Sequence, residues 1–92
     1  MAEERYSLEK LVENCNSIRY LIDMLSDFES KALEFMVDVN ADDTISIGVK
    51  HYKAQLSTVV DKDWRVKPSV IYVDEPWHWY TIKVPAGFVF DD

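Results

Sequence analysis

The chain of 92 residues has one cysteine, two glycines, three prolines and only ten bases against 17 acids, and each shortage excludes a class of protein. A lone Cys15 cannot close an intrachain disulfide, so the stapled framework of a small secreted scaffold is ruled out and the thiol reads as reduced inside a cell. Gly48 and Gly87 are too few and too far apart for a phosphate cradle, which needs clustered glycines so that backbone amides can approach the ligand. No apolar run approaches the ~20 residues of a membrane-spanning helix. Met1 to Tyr6 is acidic and no apolar stretch follows it, so neither a signal peptide nor a membrane partner is expected. A net charge of −7 repels a phosphate backbone, and direct nucleic-acid binding is not expected either. The expectation is a single cytoplasmic domain over residues 1–92. Its 48% apolar and 13% aromatic content can fill a modest core without metals or disulfides.

The charge is unevenly placed. Residues 1–43 hold eleven acids (Glu3, Glu4, Glu9, Glu13, Asp23, Asp27, Glu29, Glu34, Asp38, Asp42, Asp43) and four bases, whereas residues 44–92 hold six of each. The second half is locally basic, with Lys50, Lys53, Lys62, Arg65 and Lys67 outnumbering Asp61 and Asp63. An asymmetry of this kind points to an interaction surface.

From Ser7 to Phe28 apolar residues recur at three-four spacing, the period of an amphipathic helix. Ser7 is the expected N-cap, Leu11, Cys15, Ile18, Ile22 and Leu25 the buried side, and Glu29 or Ser30 the end, because Glu29 would fall on the apolar face. This gives one helix of about six turns, roughly 33 Å long. The period then becomes two: Leu33, Phe35, Val37 and Val39 alternate with polar residues, Asn40-Ala41-Asp42-Asp43 has turn chemistry, and Ile45, Ile47 and Val49 resume the alternation. That is a hairpin with an acidic tip. Residues 50–60 fit a short helix or a strand equally well. A second hairpin is expected from Val70–Val73 and Trp77–Val84 around an Asp74-Glu75-Pro76 turn, with Tyr80, Ile82 and Val84 on one face and Trp77, Trp79, Thr81 and Lys83 on the other. Gly87 lets the chain bend before Phe88-Val89-Phe90, which adds an edge strand or packs across the helix. The expected fold is α+β, one long N-terminal helix on an antiparallel sheet of about four strands built from two hairpins.

No catalytic motif emerges. His51 and His78 are the only histidines, Cys15 lies on the apolar helix face, and Asp74-Glu75 are neighbours whose carboxylates diverge in a turn. Two histidines 27 positions apart with one buried thiol do not make a metal-ligand cluster, and Asn40–Thr44 lacks the calcium-loop pattern. No enzyme activity, cofactor or metal is expected.

Two surfaces remain. On the expected helix Glu9, Glu13, Asp23 and Asp27 form a line about 27 Å long, extended by Glu34, Asp38, Asp42 and Asp43 if the first hairpin continues it. DNA carries phosphates roughly every 3.4 Å along each strand, so such a line could occupy the groove of a basic DNA-binding protein. In size, acidity and α+β outline the chain resembles the small acidic DNA-mimic inhibitors of bacteriophages, and looks most like the Arn-type anti-restriction proteins of T-even phages. That resemblance implies a non-enzymatic inhibitor acting in the host cytoplasm, whose partner is a basic DNA-binding protein such as a restriction nuclease. The second surface is aromatic: Trp64, Trp77 and Trp79 are candidates for self-association, and the alternative function is a homodimeric or adaptor interaction module using the tryptophan-bearing sheet face.

Overall fold

A computed structural model describes residues 2–90. The order of elements is α1 (Ala2–Glu13), α2 (Ile18–Phe28), β1 (Leu33–Val39), β2 (Thr44–Val60), β3 (Val66–Asp74) and β4 (His78–Lys83). The α+β class and the four antiparallel strands agree with the sequence, but the single long helix does not.

The helix is interrupted at Asn14–Ser17 because those residues bond sideways rather than along an axis. Asn14 Nδ2 donates to the Lys10 carbonyl at 2.9 Å, and Ser17 Oγ accepts from the Tyr20 amide at 3.1 Å as the N-cap of α2. The C-terminal segment occupies the gap: the Ile18 amide donates to the Val89 carbonyl and the Val89 amide to the Asn16 carbonyl, both at 2.9 Å. Phe88 is buried beside it, and Gly87 supplies the bend with a φ of 82°. Ser7 lies inside α1, whose first turn carries Glu3 and Glu4, favoured by the helix dipole. The interruption also rotates the phase of α2, so Leu21 is buried where Ile22 is expected; Ile22 is 46% exposed. The end at Glu29 is as expected, with that residue as C-cap.

Strand β2 organises everything else. Its first half pairs with β1 on one edge, Phe35 opposite Val49 and Val37 opposite Ile47, and with β4 on the other, Ile47 opposite Tyr80 and Ile45 opposite Ile82. Ile45, Ile47 and Val49 point into the core, with Tyr80 and Ile82 beside them and α1 and α2 packed over β4 and β1. Leu8, Val12, Cys15, Leu21 and Leu25 complete the core from the helices.

The second half of β2 leaves this body. Tyr52 lies opposite Asp74 of β3 while its amide still donates to the Ala32 carbonyl at 2.9 Å, and residues 53–60 pair only with β3, ending with Val60 opposite Val66. The expected pairing of Val70–Val73 with Trp77–Val84 is therefore absent. Instead β3 and β4 follow one another along the same edge of β2. Two β2 residues (Lys50, His51) lie opposite three on the other side (Glu75, Pro76, Trp77), which is a bulge that seats a proline without breaking the edge. Residues 50–60 are strand. Seventeen residues at ~3.3 Å each give β2 a length of about 55 Å, most of the 61 Å long axis. The radius of gyration is 17.9 Å, against about 12 Å for a compact chain of this size. The β2–β3 hairpin is an arm.

Candidate interaction surface

Both helices lie on one face of the sheet, so the opposite face is open. On that face Gly48 is opposite Trp79, and the indole lies flat over it: a Cβ at Gly48 would meet Trp79 ring atoms at 3.0 Å. Only glycine permits this close cover, which substitutes an aromatic ring for the missing side chain. Trp77 stacks beside Trp79 at 6.1 Å between ring centroids. Lys50 lies 5.6 Å over the Trp77 ring and 5.1 Å over the Tyr52 ring, and pairs with Asp74 at 3.0 Å. Its pKa is raised, chiefly by the bond to Asp74, so it remains a cation. Tyr52 donates to Glu34 at 2.6 Å, which together with partial burial raises the phenol pKa. The root of the arm is thus an aromatic cluster held around one lysine.

Along the arm the pairs Ala54–Tyr72, Leu56–Val70, Thr58–Pro68 and Val60–Val66 share the face that carries Tyr52. None of these eight residues is charged, and Leu56 is 85% exposed, Val66 68% and Val60 56%. The opposite face alternates Lys53, Gln55, Ser57 and Lys67 with Val59, Ile71 and Val73.

The two hairpin turns use one backbone solution. The Asn40 amide donates to the Thr44 carbonyl and the Asp61 amide to the Arg65 carbonyl, each at 3.0 Å. In each, the fourth residue is left-handed, Asp43 with φ 60° and Trp64 with φ 61°. Asp61 Oδ1 also accepts from the amides of Arg65 and Asp63, which lowers its pKa. Aspartate tolerates the left-handed region; tryptophan there is strained. Trp64 is nevertheless 86% exposed at the tip of the arm.

Trp77 and Trp79 therefore come together, and Trp64 sits at the far end of the arm. The acids are divided as well. Glu9 pairs with Arg5 at 3.0 Å and Glu13 with Lys10 at 3.5 Å on α1, whereas Asp23 and Asp27 are exposed on α2. Glu34 and Asp38 are on β1 at positions alternating with the core-facing Phe35 and Val37, on the side of the sheet away from the helices. Asp42 accepts from the Thr44 hydroxyl at 2.6 Å, and Asp43 completes the turn. The eight carboxylates thus lie on both sides of the molecule and along a helix pair with a break in it.

One further cluster has no signature in the residue pattern. Glu4 of α1 reaches over the sheet to bond His51 Nε2 at 2.6 Å and the Tyr80 hydroxyl at 2.7 Å. Burial pushes Glu4 upward, but the bonds from Tyr80 and His51 outweigh it and hold the carboxyl below its ordinary pKa. The Tyr80 phenol is raised in turn, first by its bond to Glu4. This cluster ties α1 to the root of the arm. Cys15 is buried and its thiol is pushed up by that burial, which makes it a poor nucleophile. No described helix is long and apolar enough to cross a membrane. Comparison with family models, with curated proteins and with solved structures finds no match.

Proposed function

We propose that this protein is a non-enzymatic interaction module whose binding surface is the open sheet face and the arm that prolongs it. One observation carries this reading: a single uncovered face runs from Trp79 and Trp77 on the body through Tyr52 to Leu56 and Val70 on the arm, uncharged except at Lys50, Glu34 and Asp74 around the root. A contiguous exposed apolar face rimmed by polar residues marks an interaction site. Tryptophan and tyrosine are the side chains that anchor interfaces. The setting that suits a buried free thiol is a reducing cytoplasm.

A second reading has its own support. Asp23, Asp27, Asp38 and Asp43 have, among the described residues, no side-chain ion pair or hydrogen bond. Such free carboxylates suit the occupation of a DNA site on a basic protein, such as a restriction nuclease. One experiment separates the two. The immobilised full-length chain is challenged with candidate partners at low and raised salt, with duplex DNA as competitor. The interaction module keeps its partner in salt and loses it with Trp77→Ala or Trp79→Ala. DNA mimicry loses it with salt, with competitor DNA and with Asp23→Asn/Asp27→Asn/Asp38→Asn. Capture that ignores both sets of variants overturns both readings.

A further inference from the structure

The arm poses a stability problem that its own chain does not answer. A two-stranded ribbon with both edges free is marginal in water, yet this one continues for eight residue pairs beyond Tyr52 with large apolar side chains in solvent. We propose that the missing cover is a second copy of this chain. The two arms pack face to face and antiparallel about a two-fold axis near Leu56 and Val70. Each Trp64 then lies against the partner's Trp77 and Tyr52. This names the partner of the surface proposed above and rests on that reading.

Four features of the arm fit a two-fold contact. An isologous interface sets a surface against itself, so a charge near its axis meets its own sign. The arm face has none between the Tyr52–Asp74 pair and the tip. The apolar positions are balanced about the middle: Leu56 and Val70 are central, Ala54 and Tyr72 would face Thr58 and Pro68, and Val60 near the tip would face Tyr52 at the root. Length is the third. Tyr52 to Val60 spans about 27 Å, so full overlap brings the tip of one arm to the root of the other. This reunites the two aromatic sites that a single copy holds apart. A face two strands wide and that long offers on the order of 500 Å² per copy, and two together reach the ~1,000 Å² at which specific interfaces begin, before Trp64 is added.

Charge is the fourth. From Tyr52 to Asp74 four bases (Lys53, Lys62, Arg65, Lys67) face three acids, whereas the remainder of the chain has fourteen acids and six bases. An antiparallel pair sets the tip, where Lys62, Arg65 and Lys67 exceed Asp61 and Asp63 by one charge, against the root of the other copy, where Glu34 and Asp74 exceed Lys50 by one, and holds the two acidic bodies at opposite ends. The left-handed backbone at Trp64 also acquires a purpose, since strain concentrates where a side chain is held for contact.

The test is the oligomeric state of the full chain by sedimentation equilibrium from low to high micromolar concentration. The expected result is a monomer–dimer equilibrium whose dissociation constant rises about tenfold or more with Leu56→Lys or Val70→Lys, and also with Trp64→Ala. Because lysine on the arm could simply loosen it, a second measurement reads geometry in the native arm. Spin labels on Ser57→Cys and on Asp63→Cys, with buried Cys15 unreactive, should give a mid-arm separation of about 25 Å and a tip-to-tip separation of about 40 Å. A monomer throughout the range overturns the proposal. So does a dimer that survives both lysine variants, or tips closer together than mid-arms. A monomer whose arm variants instead lose binding to a DNA oligonucleotide would assign the arm to nucleic acid and overturn it too. Any of these failures leaves the interaction-module reading standing, provided Trp77→Ala or Trp79→Ala still abolishes partner capture.

Discussion

Trp64 and Asp43 occupy the same position of the same turn, so the chain contains its own control for the effect of side chain on that backbone. Asn40 and Asp61 open the two turns and donate their backbone amides across them; what differs at the fourth position is an indole where glycine would be at ease. Trp64→Gly and Trp64→Ala both delete the indole, but only glycine fits a φ of 61° without cost. At dilutions where the chain is monomeric, amide exchange along the arm should be slower in Trp64→Gly than in Trp64→Ala, by about 1 kcal/mol in opening free energy. Association should be equally weak in both. Association retained by the glycine variant alone would mean that Trp64 acts by shaping the turn and not by contact.

At the scale of elements, the broken helix makes the sharpest difference between sequence pattern and structure. Leu21 is fully buried and Ile22 is 46% exposed, so urea denaturation should find Leu21→Ala costing about 2–5 kcal/mol and Ile22→Ala under about 1. Equal costs would argue for the unbroken helix. Much of the fold was legible in residues: the Leu33–Val39 alternation, the Asn40–Asp43 turn, the helix end at Glu29, and the burial of Tyr80 and Ile82. The break was hidden because it depends on Val89, far along the chain, bonding into the gap. Strand β2 was ambiguous for a different reason. Its apolar positions are odd-numbered while helices cover it (Ile45, Ile47, Val49) and even-numbered once it leaves them (Leu56, Val60), so neither simple period persists. Of the candidate surface, Trp77 and Trp79 were legible as a pair from alternation alone, whereas the distance of Trp64 required knowing that β3 pairs with β2.

For the whole molecule, the Glu4–His51–Tyr80 cluster sets how stability responds to acid. A carboxyl whose folded pKa lies below its ordinary value of 4.5 contributes stability in full above that value and loses it as pH falls through the lower folded one. Wild type should therefore lose stability as pH falls below that ordinary value of 4.5, and Glu4→Gln should flatten that decline by about 1 kcal/mol. Urea midpoints compared across this fall in pH check the sign; parallel curves would mean that the cluster is too solvated to matter.

The length of the arm has an electrostatic consequence of its own. At physiological ionic strength the Debye length is about 8 Å, so a tip about 27 Å from the root lies more than three screening lengths from the acidic body. A ligand at Trp64 feels Asp61 and Asp63 against Lys62, Arg65 and the Lys67 that pairs with Asp61, a balance of one positive charge, and almost nothing of the net −7. The bulk charge therefore describes only the body.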